Sequence, residues 1–221
     1  MKETQQNTSG SERAWRHVVA DIMNTGSSYN DQEGRPCIEL RNVSITVPDA
    51  SDAKRLVERL RLGLPWLYPS TDELRSVFFS MTSIASGYSY APRLFGEVEQ
   101  IEGFVIPLLQ QNPQSRRAVI IPYDPLIDSR LDSHTVPSVL SITVRRLEEG
   151  LSLTATLRSV DVFIGLPANL YQLRCLQEYI AERLDVPCAE LVVLCTNAHW
   201  LPEYADAAKH LGISLSRSNK P

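Results

Sequence analysis

Two arginine-bearing segments carry the clearest chemical signal in the chain. Arg158-Ser159 opens the string RSVDVFIGLPAN over residues 158–169, in which Asp161, Gly165, Pro167 and Asn169 follow at fixed spacing. Arg116-Arg117 closes NPQSRR over residues 112–117. A planar guanidinium can make two parallel hydrogen bonds to one oxyanion, which makes arginines worth weighing, but neither segment by itself names a partner. Taken alone, each arginine segment reads as solvated or structural. Adjacent arginines on a strand also point to opposite faces, so Arg116 and Arg117 cannot both serve one site of one subunit unless the backbone twists locally. The whole string from Arg158 to Asn169 is more specific, because few folds need that combination.

Composition limits the alternatives. The 221 residues are 43% hydrophobic and 22% charged, ordinary for one generous globular domain. A formal net charge of −4 gives no reason to expect nucleic-acid binding, so any phosphate must be held by a local arginine cluster. No apolar run approaches the ~20 residues that span a bilayer. Residues 1–11 are polar and lack the apolar core of a signal peptide, which makes the cytoplasm the default expectation. Cys37, Cys175, Cys188 and Cys195 form no CxxC pair and have no histidines at metal-ligand spacing. They read as reduced thiols, Cys175 and Cys195 in the core, with no metal site.

The elements that must position the arginines follow from patterning. Residues 1–11 read as a disordered tail, 12–212 as one domain and 213–221 as a polar tail. A helix is expected over 12–23, a turn over 24–28 and a strand over 37–47. Ser51-Asp52 can cap a helix carrying Leu56, Val57 and Leu60, and a second helix begins near Thr71 with Asp72 and Glu73 in its first turn. A third spans 98–110, kinked at Pro107. Strands follow at 118–122, 139–146 and 151–159, the last two joined by a Glu148-Glu149-Gly150 hairpin. A helix over 170–184, a strand over 190–196 and a helix over 203–211 complete an α+β domain.

NPQSRR, RSVDVFIGLPAN and Asn197-Ala198-His199, in this order and at these separations, resemble three motifs of thymidylate synthases and the related pyrimidine-nucleotide hydroxymethylases. Ser89-Tyr90-Ala91-Pro92-Arg93-Leu94-Phe95 extends the resemblance, which covers roughly residues 13–201. It implies a thymidylate synthase-like mixed β-sheet with packed helices and a sheet face forming a homodimer interface. It implies phosphate ligands at Arg158 and Ser159, with Arg116 and Arg117 lent across the two-fold to the neighbour's phosphate. Asn169 matches the reader of the pyrimidine edge, where an amide suits a uracil-type base. His199 matches a sugar-hydroxyl ligand, and Asp161 and Gly165 match positions lining the site of methylenetetrahydrofolate.

Departures cluster at the reacting carbon. Ser138 stands where the family has its nucleophilic cysteine, Val139 where a histidine follows, and Leu157 where a glutamine precedes the arginine. A thiol of pKa about 8.5 supplies thiolate near neutrality, whereas a serine alkoxide needs a strong base beside it. Pro137 and Val139 offer none, and His134 reads as a surface-loop residue. Leu201 replaces the tyrosine that partners the sugar-binding histidine, although Tyr204 lies near in sequence; Glu73 is the candidate general acid, with helix-dipole stabilisation as its competing role. The chain runs only about ten residues past its last helix, so the segment that closes over folate in the family is expected to be absent. Two functions follow: a transferase-like enzyme acting on a uridine-type nucleotide with altered chemistry at C5, in a specialised biosynthetic pathway, or a non-catalytic nucleotide-binding pseudoenzyme or partner subunit of an active paralogue.

Overall fold

A computed structural model describes residues 5–7, 10–82, 89–132, 135–213 and 215. The amino-terminal half contains β1 (Gln5–Asn7), α1 (Ser11–Thr25), β2 (Ser27–Asn30), β3 (Pro36–Val47), α2 (Ala53–Gly63), α3 (Thr71–Phe79) and α4 (Ala91–Phe95). A π-helical stretch (Gln100–Val105) then runs into α5 (Ile106–Gln111), followed by β4 (Val119–Ile120) and α6 (Pro125–Asp128). The remainder holds β5 (Val139–Arg146), β6 (Leu151–Leu157), β7 (Val160–Asp161), α7 (Gly165–Arg183), β8 (Cys188–Trp200), a 3-10 turn (Pro202–Tyr204) and α8 (Ala205–His210).

These elements form a mixed sheet with packed helices, which bears out the α+β expectation. The main path through the sheet is β1-β3-β8-β6-β5-β4, with β2 added along β3 and β7 along β8. The long central pair β3–β8 is antiparallel, from Ile38 opposite Trp200 to Val47 opposite Leu191. β6 runs parallel to β8, which requires a crossover, and α7 supplies it. β5 and β6 form the expected hairpin, closed by the Leu147 N–H donating to the Gly150 carbonyl at 2.8 Å. Gly150 has φ 139°, and a Cβ there would lie 2.4 Å from the Pro187 carbonyl oxygen, so both conformation and space demand glycine.

Alternation along the strands splits the sheet into two faces. Ile45, Val193, Ala155 and Ile142 are fully buried against the helices, with Trp15, Leu56, Leu60 and Leu173 in the same core. Ser44, Thr46, Thr154, Thr156 and Val192 alternate with them and remain half-buried, while Leu194 is 39% exposed. This second face is a broad surface of β-branched and hydroxyl side chains.

Several expectations are corrected. The segment read as a tail contributes β1, paired parallel with Ser44–Thr46 of β3, and α1 begins at Ser11. The Asp52 carboxylate does not cap its own helix. It accepts the Ser11 N–H at 2.6 Å and the Glu12 N–H at 3.2 Å, and so caps α1. The turn expected over 24–28 gives way to β2, antiparallel to β3. The single kinked helix over 98–110 is instead a π-helical stretch followed by α5, because Pro107 lacks the N–H that would bond back to Gly103.

Candidate active-site cleft

β6 leaves the sheet at Leu157, and the chain returns to it as β7, with Val160 opposite Ala198 and Asp161 opposite His199 on β8. Arg158 and Ser159 therefore occupy a break between two strand segments, at the rim of the sheet rather than within it. The break brings Ser159 Oγ to 3.2 Å from His199 Nδ1 and 3.4 Å from Asn197 Oδ1. Asn197 donates its amide N–H to Glu39, which turns its oxygen toward Ser159. Burial pushes His199 below the ordinary imidazole value of 6.5, so the ring is neutral at physiological pH.

Asp161 turns the chain into α7. Its Oδ1 accepts the N–H groups of Phe163 (2.8 Å) and Ile164 (3.1 Å), and its Oδ2 accepts the Tyr204 hydroxyl at 2.8 Å. The indole of Trp15 donates to the Val162 carbonyl at 2.9 Å, and the Phe163 ring stacks between Trp15 and Tyr204, 5.9 and 5.1 Å away by centroid. With the turn held this way, α7 starts at Gly165, five residues before the Leu170 expected from its apolar spacing. Pro167 sits in the first turn, where its missing N–H costs nothing. Gly165 and Asn169 thus lie on a helix, not on a loop. Asn169 Nδ2 donates to Gln172 Oε1 at 3.3 Å.

Opposite this wall, Arg158 holds the loop that carries Ser138. Its Nε donates to the Pro137 carbonyl and its Nη2 to the Val136 carbonyl, each at 2.9 Å, and its own N–H donates to the Ser138 carbonyl at 2.9 Å. From the other side, the Tyr90 phenol oxygen accepts the N–H groups of Ser138 and Val139, both at 3.1 Å. None of these contacts brings a base to the Ser138 hydroxyl. His134 lies outside the described residues.

One cleft of about 670 Å³ brings together Ser138, Arg158, Ser159, Asp161, Gly165, Asn169 and His199. Arg116 and Arg117 are not part of it. They border a separate depression with Asn112, Pro113 and Gln114. They also precede β4 in irregular backbone, so the opposite-face argument for adjacent strand residues does not apply to them.

The other positions at which departures were expected are placed as follows. Val139 and Leu157 are cross-strand partners on β5 and β6, and both are fully buried. They form one apolar pair facing the core. Glu73 is committed to the capping box of α3: Oε2 accepts the Ser70 N–H and hydroxyl, each at 2.8 Å, and the Ser70 oxygen accepts the Glu73 N–H. Those bonds lower its carboxyl below the ordinary value, opposite to what a general acid needs. Leu201 lines the cleft, and Tyr204 reaches it only through Asp161.

Sequence reasoning missed the contribution of the β2–β3 hairpin, whose Tyr29, Asp31, Gln32, Arg35 and Cys37 close one side of the cleft. Asp31 builds that turn by accepting the N–H groups of Glu33 and Arg35 and the Arg35 Nε at 2.8 Å. Burial, and then the Cys37 thiol, push Tyr29 up to about 12. The available signal was Asp31 three residues before Gly34, a turn pattern with charged residues just ahead of the strand expected over 37–47. Among the described residues, no group of three or more His, Cys, Asp or Glu side chains is placed to hold a metal ion, and no helix is long and apolar enough to cross a membrane.

Comparison with known proteins shows the family. The thymidylate synthase family model matches residues 74–221. A protein named "Putative thymidylate synthase" from Methanosarcina mazei is 29% identical over 190 residues, 84% of each chain. Proteins of the same name from Methanothermobacter marburgensis and Methanopyrus kandleri are 27% identical over 198 residues and 28% identical over 190. The alignments cover 84% and 85% of this chain and 87% and 88% of those proteins.

Proposed function

The chain belongs to the thymidylate synthase family, and from that premise we propose that its cleft binds a uridine-type nucleotide and serves a transfer at C5 of the base, one-carbon or related, without the family's cysteine addition. The carrying observation is the convergence of Arg158, Ser159, Asn169 and His199, from three separate elements, on one cleft.

Each residue has a role its geometry allows. A guanidinium has five N–H donors, and among the described residues two of Arg158's are used on the Val136 and Pro137 carbonyls, which leaves donors for phosphate oxygens. Ser159 stands next to it as a further donor. Neutral His199 presents a ring nitrogen to a sugar hydroxyl while Ser159 occupies the other. Asn169, fixed on α7, offers an amide to the base. Arg116 and Arg117 lie outside this cleft, so their contribution comes from a second copy of the chain. We place the two-fold on the open sheet face around Val192 and Leu194, which leaves the helices free to line the cleft.

The family uses methylenetetrahydrofolate, and its fit here is confined to two positions. Gly165 is not demanded by packing, since a Cβ would only touch Asp161 at 3.4 Å and Val160 at 3.6 Å, so its bareness opens the cleft wall. Asp161 has both lone pairs of Oδ1 engaged and one of Oδ2. Asp161 Oδ2 and Gly165 would hold the folate, which when bound supplies the one-carbon unit. The chain's own residues anchor phosphate, orient the base and hold residue 138 in the same cleft.

Ser138 itself favours a second reading. Its described contacts are made by the backbone and bring it no base, so a non-catalytic nucleotide binder has specific support. One pair of measurements separates the two. The protein is incubated with uridine nucleotides tritiated at C5, with and without methylenetetrahydrofolate, while calorimetry follows binding. Tritium release requires ring activation and establishes the enzyme. Tight binding without release, unchanged by Ser138→Cys, establishes the binder. Failure to bind any pyrimidine nucleotide refutes both.

A further inference from the structure

Asn169 and Gln172 are three residues apart on α7 and so share one face of the helix. Gln172 is buried, 5% exposed, and its Nε2 donates to the Leu74 carbonyl of α3 at 3.1 Å. A carbonyl can only accept. If the Gln172 amide turned over, oxygen would face oxygen in a buried position, and an unpaired buried acceptor is costly. Gln172 Oε1 is therefore committed to face Asn169, which meets it with Nδ2 at 3.3 Å. The constraint passes on: Asn169 cannot turn its own oxygen toward Gln172 without setting two oxygens against each other.

We infer that Gln172 locks the Asn169 amide in one orientation and thereby determines which pyrimidine edge the cleft accepts. The inference rests on the reading of this cleft as a pyrimidine-nucleotide site. The chemistry is one of order. A keto pyrimidine presents an acceptor at O4 and a donor at N3–H; an amino pyrimidine presents a donor at N4 and an acceptor at N3. An amide free to rotate by half a turn pairs with either edge. An amide tied by one of its N–H groups leaves one N–H and one oxygen in a fixed order, and pairs with one edge only. Selectivity then comes from the penalty on turning over as much as from the bonds to the favoured base. Gln172 touches no ligand in this scheme. It is a positioning residue, and Leu74 of α3 is the fixed point from which the orientation is set.

The test is the ratio of affinities for uridine and cytidine 5′-monophosphates, measured by calorimetry in ribo and deoxyribo forms. Wild-type protein is expected to favour the uridine nucleotide by about tenfold or more, the discrimination of one well-formed hydrogen bond. Gln172→Met keeps the length of the side chain but removes donor and acceptor; the ratio should fall to about threefold or less, with thermal melting reporting that the fold survives. Gln172→Glu keeps an acceptor toward Asn169, and its buried, protonated carboxyl can donate to the Leu74 carbonyl, so the ratio should return to near the wild-type value. A purely structural role for Gln172 would lower both affinities together and leave the ratio unmoved, and that result overturns the lock. Wild-type protein that binds both nucleotides equally overturns it too, without needing either variant. Wild-type protein that binds neither refutes the pyrimidine-nucleotide reading, and the lock with it.

Discussion

Arg158→Ala tests the central assignment, because this guanidinium has one job visible in the structure and a second, separable one in the proposal. One is the loop: Nε and Nη2 hold the Pro137 and Val136 carbonyls at 2.9 Å each. The residue is exposed, so water can replace part of this pairing, and the two bonds together contribute about 1–2 kcal/mol to stability. For a domain of this size that is a melting shift of about 2–8 °C. The other job is the phosphate. Losing a charge-assisted bond there costs about 1.5–3 kcal/mol, or about 10- to 150-fold in affinity. Calorimetry with uridine 5′-monophosphate and with uridine separates the two. If Arg158 grips phosphate, the variant loses most of the advantage that the nucleotide holds over the nucleoside, while uridine binding changes by about threefold at most. If both ligands weaken by the same factor, Arg158 acts only through the Ser138 loop, and the phosphate assignment is refuted.

Tyr90→Phe keeps the ring contact with Phe78 but removes the acceptor of two amide N–H groups, one of them at fully buried Val139. It should destabilise the protein by about 2–4 kcal/mol in denaturant melts. His199 should titrate below 6.5 in NMR spectra, since burial disfavours its charged form. The sign for stability follows: below pH 6.5 the unfolded chain takes up the proton before the native protein does, so this residue's contribution is lost as pH falls through the folded pKa. Leu194→Lys places a charge on the open sheet face and should shift sedimentation from dimer to monomer, with nucleotide affinity falling as Arg116 and Arg117 of the second copy are withdrawn. A dimer that survives this change would move the two-fold elsewhere.

What could be read from sequence, and what could not, divides along a physical line. The β5–β6 hairpin was legible because strict alternation from Leu151 to Leu157 and a glycine turn are local signals. So was the set of residues around Arg158, Asn169 and His199, through the resemblance. The start of α7 was not, because it is decided by Asp161, Trp15 and Tyr204, which lie far apart in sequence and meet only in the fold. The same holds for β2, whose Ser27–Asn30 has little strand character of its own and pairs because β3 offers it an edge. Gln172 is the sharpest case. On the helix pattern it is a polar residue in an otherwise apolar run, and only the Leu74 carbonyl ninety-eight positions away turns it from an irregularity into a constraint on Asn169. A motif identifies the residue that meets the ligand, whereas the orientation of that residue is set by packing partners that no motif contains. In this cleft the Asn169 amide and the Arg158 guanidinium, to which base reading and phosphate binding are proposed, are both held by backbone carbonyls, through Gln172 in the first case and directly in the second. Changes at Leu74 or Pro137 that move those carbonyls should therefore alter binding without altering any residue that touches nucleotide.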